Sequence, residues 1–144
     1  MKQVSKAVIT QQNEYLLQLR DDRPDIWYGN HWSFFGGGLE IGETPWQALQ
    51  RELVEELEWC PETGRFLYEW NNPEYPVRIH FFAVPFNGDR KQLVLHEGQS
   101  LRWFSIEMMV RESQIAPHVL SHVHRFVEAS IADELNAEVE AGNL

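Results

Sequence analysis

The stretch Gly37–Trp59, GGLEIGETPWQALQRELVEELEW, gathers Glu52, Glu55 and Glu56 within one turn or so of a strongly helical segment. Thr44 suits an N-cap, Pro45 suits the first helical position, and Gln47 completes a T-x-x-Q capping box. Leu49, Leu53 and Leu57 follow at i, i+4 and i+8 and predict a buried stripe. At ~100° per residue, Glu52 and Glu56 border that stripe and Glu55 lies further round. Solvated helix faces rich in Glu usually carry Lys or Arg four residues on. Here Glu52 and Glu55 are followed by Glu56 and Trp59 instead. Carboxylates crowded at a core margin repel one another unless a cation organises them, and a hard divalent ion such as Mg²⁺ prefers oxygen ligands.

Gly37, five residues, Glu43, seven residues, then Arg51-Glu52-Leu53-x-Glu55-Glu56 resembles the Nudix box, G-x5-E-x7-R-E-U-x-E-E-x-G-U, with U a bulky apolar residue. The box covers 23 of the 144 residues. Two positions depart from it: Glu58 stands at the late glycine, which normally turns the chain after the helix, and Trp59 at the usual aliphatic residue. The resemblance implies an α/β fold, a Nudix-type α/β/α sandwich around a mixed sheet. It also implies hydrolysis of a pyrophosphate bond in a nucleoside diphosphate derivative with Mg²⁺ or Mn²⁺. Within it, Glu55, Glu56 and the Gly36 carbonyl would hold the metal, and Glu52 would join them and act on the attacking water. Arg51 would steady the glutamates as part of the catalytic set, with Gly37 and Glu43 supporting the box.

Beyond the box, His96-Glu97-Gly98-Gln99 followed by Arg102-Trp103-Phe104-Ser105 resembles the MutT-type segment that brings a further metal-binding glutamate, here Glu97. Arg20, at the end of a strand, is placed like an arginine that faces the phosphates in relatives. Arg78 and Trp32 are further substrate-binding candidates, the first beside His80 on one strand face, the second as a base-stacking ring along with Trp27 and Tyr28. His118 and His122 stand at i and i+4 but lack an acidic companion, so they read as ordinary residues. Pro73, Tyr75 and Pro76 do not choose among substrate subtypes. A MutT-like nucleoside triphosphate pyrophosphohydrolase leads. An ADP-ribose or sugar-nucleotide pyrophosphatase is the enzymatic alternative, and a silent nucleotide-binding regulatory domain the non-enzymatic one.

Composition agrees. With 43% hydrophobic residues the chain has material for a core, read as one domain over residues 1–135 with a frayed acidic tail at 136–144. Its net charge of −10, from 12 basic and 22 acidic residues, disfavours a nucleic-acid polymer as partner and favours a small nucleotide. No run of about 18 apolar residues spans a membrane, and the polar N-terminus is unlike a signal peptide, which predicts a cytoplasmic protein. Cys60, the single cysteine, reads as a plain thiol. A homodimer is expected on family grounds alone.

Strands are expected over Lys2–Thr10 and Glu14–Arg20, joined by a hairpin, and over Trp32–Phe35 before a glycine turn at Gly36–Gly38. Further strands are expected over Arg65–Trp70, Val77–Val84 and Gln99–Phe104. Ser105 is expected to cap a short helix to about Arg111, and Pro117 to open a last helix to roughly Glu134.

Overall fold

The computed structural model describes residues 1–142. Alternating apolar residues draw the first strand, β1 (Lys2–Gln11), through the middle of the molecule. Gln12 and Asn13 take positive φ (51° and 61°) and turn it into β2 (Glu14–Leu19), a geometry suited to a tight hairpin. The two strands pair at the hairpin end, Thr10 opposite Tyr15 and Gln11 opposite Glu14.

The chain from Trp32 to Gly38 then serves both strands. Its first part, β3 (Trp32–Ser33), pairs with β2, and its second, β4 (Phe35–Gly38), runs antiparallel to β1 from Ala7 to Val4. The expected glycine turn is therefore a strand. Gly36 to Gly38 carry no side chains, so β1 and the neighbouring helix approach this backbone closely.

That helix is α1 (Pro45–Leu57), opened by Thr44 and Gln47 in a reciprocal capping box. Leu49, Leu53 and Leu57 are fully buried against Ala7, Ile9, Leu16, Phe35 and Val84. The sheet continues through β5 (Arg65–Asn71) and β6 (Val77–Pro85). β6 runs parallel to β1 from Lys2 opposite Val77 to Thr10 opposite Pro85, and β5 forms its antiparallel edge. A short 3₁₀ turn at Arg90–Gln92 leads towards β7 (Ser100–Phe104), which pairs with β2. The seven strands follow the order β3-β2-β1-β6-β5, with β4 on β1 and β7 on β2.

Ser105 caps α2 (Ile106–Arg111), and α3 (Val119–Glu140) closes the described chain. Together α2 and α3 cover the face opposite α1, over Val8, Tyr15, Leu17, Phe34, Phe81 and Phe104. The result is the expected α/β/α sandwich. α3 runs past the expected end near Glu134, so residues 136–140 are helical rather than frayed. The remainder of that expected tail, Asn143 and Leu144, lies outside the described residues.

Glu58 makes the turn that the glycine of the box would make: it adopts the left-handed conformation (φ 54°, ψ 35°), with its N–H donating to the Val54 carbonyl. A non-glycine residue pays about 1 kcal/mol for this. Its carboxylate meets His96 Nε2 at 2.6 Å, across the chain segment that carries Glu97.

Candidate active site

Glu56 sits on the buried flank of α1, 1% exposed, where the leucine stripe carries it. Its Oε1 accepts the Gly36 N–H at 3.1 Å. Its Oε2 has no partner among the described residues. Gly36 has φ 134°, and a Cβ there would stand 2.0 Å from the Ser5 carbonyl oxygen, so only glycine brings this N–H to Glu56. Gly37 leaves room for Glu52: a Cβ there would stand 2.4 Å from the Glu52 carboxylate carbon.

Glu97 arrives from a separate segment stitched to the end of α1. Val94 N–H donates to the Leu57 carbonyl at 3.2 Å and His96 N–H to the Glu56 carbonyl at 2.8 Å. Gly98, with φ 87°, then turns the chain into β7. Carboxylate oxygens of Glu52, Glu56 and Glu97 thus lie within 4.8 Å of one another.

Arg51 supports this group from behind. Its Nε and a terminal nitrogen donate to the two Glu43 oxygens at 2.8 and 2.9 Å, and it also donates to the Gly38 carbonyl at 2.9 Å. The other terminal nitrogen reaches Glu52 at 3.0 Å and Glu55 at 3.5 Å. The Glu43 hydrogen bonds hold Arg51 firmly protonated and draw the Glu43 carboxyl below its usual range. Gly38, Glu43 and Glu52 are therefore fixed by one guanidinium fork. Glu55 points to solvent, 58% exposed, and stands apart from the three gathered carboxylates.

Burial raises the Glu52 pKa, against the pull of Arg51. It raises that of Glu56 further, to about 8, with Lys6 opposing and Glu97 and Glu52 adding to the rise. Lys6 is the group that sequence reasoning missed. Its ammonium donates to the Gly36 carbonyl at 3.2 Å and to the Phe34 carbonyl at 3.4 Å. Some of its side chain remains exposed, yet surrounding protein lowers its pKa while Glu56 works in the other direction. One signal was available: Lys6 occupies the inward phase of β1 between Val4 and Val8, where an apolar residue is the default.

These groups form one end of a cleft of about 380 Å³ on the α3 face of the sheet. Lys6, Arg20, Gly36, Gly37, Glu52 and Glu97 line the charged end. Arg20 is held by a hydrogen bond to the Trp27 carbonyl, which also anchors the loop between β2 and β3. Further along, the lining turns aromatic, with Trp27, Phe34, Trp70, Tyr75 and Phe81, and then His118 and His122 at the start of α3.

Two candidates fall elsewhere. Trp32 is buried in the core, its ring 5.1 Å from that of Phe104, and Trp27 takes the place in the cleft instead. Arg78 alternates away from Val77, Ile79 and Phe81, which line the cleft, and binds Asn71 at 3.3 Å outside it. The strand period of two puts Arg78 on the α1 side of the sheet.

The donor set fits a divalent cation. Three carboxylates from two segments converge, and one oxygen of the most buried carboxylate has no partner among the described residues. Hard oxygen donors of this kind suit Mg²⁺ or Mn²⁺.

A family model described as NUDIX domain matches residues 1–126. The chain belongs to the Nudix family. It is 36% identical over 95 residues to a protein of Actinobacillus succinogenes named RNA pyrophosphohydrolase, a match covering 63% of this chain and 44% of that one. The chain thus spans less than half the length of that curated relative. Among solved structures, the E. coli ORF135 protein is 30% identical with a TM-score of 0.70, covering 92% of each chain. A MutT protein from Methanosarcina mazei shares the fold at 19% identity and a TM-score of 0.75, covering 90% of this Nudix chain and 94% of its own.

Proposed function

We propose that this Nudix protein is a divalent-metal-dependent hydrolase of a pyrophosphate bond in a nucleoside diphosphate derivative. A nucleoside triphosphate is the leading substrate, with nucleoside monophosphate and pyrophosphate as products. One observation carries this reading: Glu52, Glu56 and Glu97 meet within 4.8 Å at the charged end of a cleft whose other end is aromatic.

Glu52, Glu56 and Glu97 would hold the cation, with the Gly36 carbonyl as a further oxygen donor, while Glu55 stands apart in solvent. Bound there, Mg²⁺ or Mn²⁺ supplies positive charge that neutralises phosphate oxygens and makes a neighbouring water a better nucleophile. The chain's own residues do the rest. Lys6 and Arg20 offset the negative charge of a polyphosphate in a protein of net charge −10. Glu52 accepts the proton of the attacking water as its oxygen bonds to phosphorus and the bridging P–O bond breaks. Arg51 keeps Glu52 aligned without entering the cleft lining, and Trp27 and Phe34 offer apolar surface to the nucleoside.

A second reading is removal of pyrophosphate from the 5′ end of RNA, favoured by the name of the Actinobacillus relative. The net charge of −10 weighs against a polymer, whose binding draws on many Lys and Arg contacts to phosphate. Incubation with Mg²⁺ and a panel decides: nucleoside triphosphates, ADP-ribose, sugar nucleotides and 5′-triphosphorylated RNA, with product identification by ³¹P NMR. Monophosphate and pyrophosphate from a free nucleotide support the proposal. Turnover of RNA alone supports the second reading, and turnover of ADP-ribose or a sugar nucleotide alone moves the substrate class. Binding without turnover of any overturns the enzyme and leaves a nucleotide-binding domain.

A further inference from the structure

His122 lies on the buried side of α3, 3% exposed, yet it lines the aromatic end of the cleft. Its ring stacks on Phe81 with centroids 4.2 Å apart and meets Trp70 edge-on at 4.5 Å. Nδ1 is engaged with the Tyr68 hydroxyl at 2.8 Å. Nε2 has no hydrogen-bond partner among the described residues. An apolar wall would be served as well by Leu or Phe; a histidine wedged among four aromatic rings with one nitrogen unpaired is chemistry in search of an acceptor or donor.

The hydrogen bond to Tyr68 sets which. A phenol hydroxyl is the stronger donor and an imidazole nitrogen the stronger acceptor, so Tyr68 donates to Nδ1 and the ring proton resides on Nε2. Burial, with Arg125 and His118 adding, lowers the His122 pKa to about 4, which keeps the imidazole neutral near pH 7. Arg125 stacks over the Tyr68 ring at 3.4 Å and anchors this outer partner in turn.

We propose that His122 is a specificity residue: its Nε2–H donates to an acceptor on the edge of a planar heterocycle held at the aromatic end of the cleft. The acceptor is a carbonyl oxygen or an unprotonated ring nitrogen, so rings that present an N–H or amino group there are disfavoured, because two donors would face each other. This rests on the proposed reading only in taking the substrate to be a nucleotide. Its test uses binding and needs no turnover.

Calorimetry with AMP, GMP, CMP and UMP, and with ribose 5-phosphate as the ligand lacking the ring, measures what the heterocycle adds. The wild-type protein is expected to bind one or two of the monophosphates at least tenfold more tightly than ribose 5-phosphate. His122→Phe, which keeps an aromatic ring and removes the donor, is expected to reduce that ratio about tenfold or more and to flatten the differences among bases. A preference unchanged in His122→Phe, or equal binding of all five ligands by the wild type, overturns the proposal. The wild-type protein labelled with ¹⁵N at histidine gives a reading that does not depend on the variant folding. A protonated Nε2 signal that moves on addition of the preferred monophosphate and not of ribose 5-phosphate supports the assignment. A proton found on Nδ1, or a signal indifferent to the ligand, contradicts it. Loss of hydrolysis with this discrimination intact would strike the enzymatic reading alone.

Discussion

The Cα of Gly37 faces the Glu52 carboxylate so closely that a single added Cβ would stand 2.4 Å from the carboxylate carbon. The glycine of the box is thus a spatial requirement of its glutamate. Gly37→Ala should push Glu52 aside by roughly an ångström, which is enough to lower kcat on the order of 100-fold. The contact is with the end of a side chain and Gly37 has no positive φ, so the melting temperature should move by only a few degrees. Steady-state kinetics and a thermal melt on the same preparation check both. Wild-type kcat in Gly37→Ala would mean that the position of Glu52 is unimportant.

Arg51→Lys tests the supporting fork. Lysine keeps the charge but cannot span Glu43, Gly38 and Glu52 together. The expected result is a fall in kcat of about tenfold or more with KM little changed, since Arg51 lies outside the cleft lining. A rise in KM with kcat preserved would instead place Arg51 against the substrate.

Glu56 gives the metal-free protein a pH signature. The folded carboxyl keeps its proton up to about pH 8, whereas the unfolded one loses it near 4.5. Between those values the folded state binds more protons, so stability contributed by this group is lost as pH rises. Lys6, whose pKa is lowered on folding, acts in the opposite sense at higher pH and limits the effect. In chelator, wild-type melting temperature should fall between pH 5.5 and pH 8.5 by on the order of 5 °C more than that of Glu56→Gln. Identical pH profiles would show that Glu56 ionises normally.

Glu58→Gly restores glycine where the chain is left-handed. Relief of the backbone is worth about 1 kcal/mol, and the exposed contact with His96 is worth less than that in water. The variant should therefore melt about 1–3 °C higher. Its kcat should stay within threefold, because the backbone bonds from Val94 and His96 to α1 still hold the Glu97 segment. A large loss of activity would show that the Glu58–His96 contact positions Glu97.

Much of this arrangement could be read from residue order because it is local. The capping box, the leucine stripe and the placing of Glu52 and Glu56 beside it are consequences of helical period alone, and α1 has all three. The supporting roles of Arg51 and Glu43 were implied by the resemblance, and their direct pairing appears only in the fold. What escaped was set by contacts distant in sequence. Lys6 meets Gly36 only because β4 pairs with β1, and Trp32 lost its place to Trp27 because the loop after β2 folds back over Arg20. Arg78 failed on strand phase, since nothing in an isolated strand says which face will hold the cleft. His122 was set aside for want of an acidic companion, and its role appears only when Tyr68, Trp70 and Phe81 close around it.

In the proposed function, Glu56, with Glu52 and Glu97, holds the cation on which pyrophosphate cleavage depends. The direct measurement is a Mn²⁺ titration by electron paramagnetic resonance on wild type and Glu56→Gln, paired with nucleoside triphosphate hydrolysis by the same samples. Mn²⁺ binding and turnover are expected in the wild type, both falling at least about 100-fold in a Glu56→Gln protein that remains folded. Equal Mn²⁺ affinity and equal turnover in the two proteins would contradict this role of Glu56.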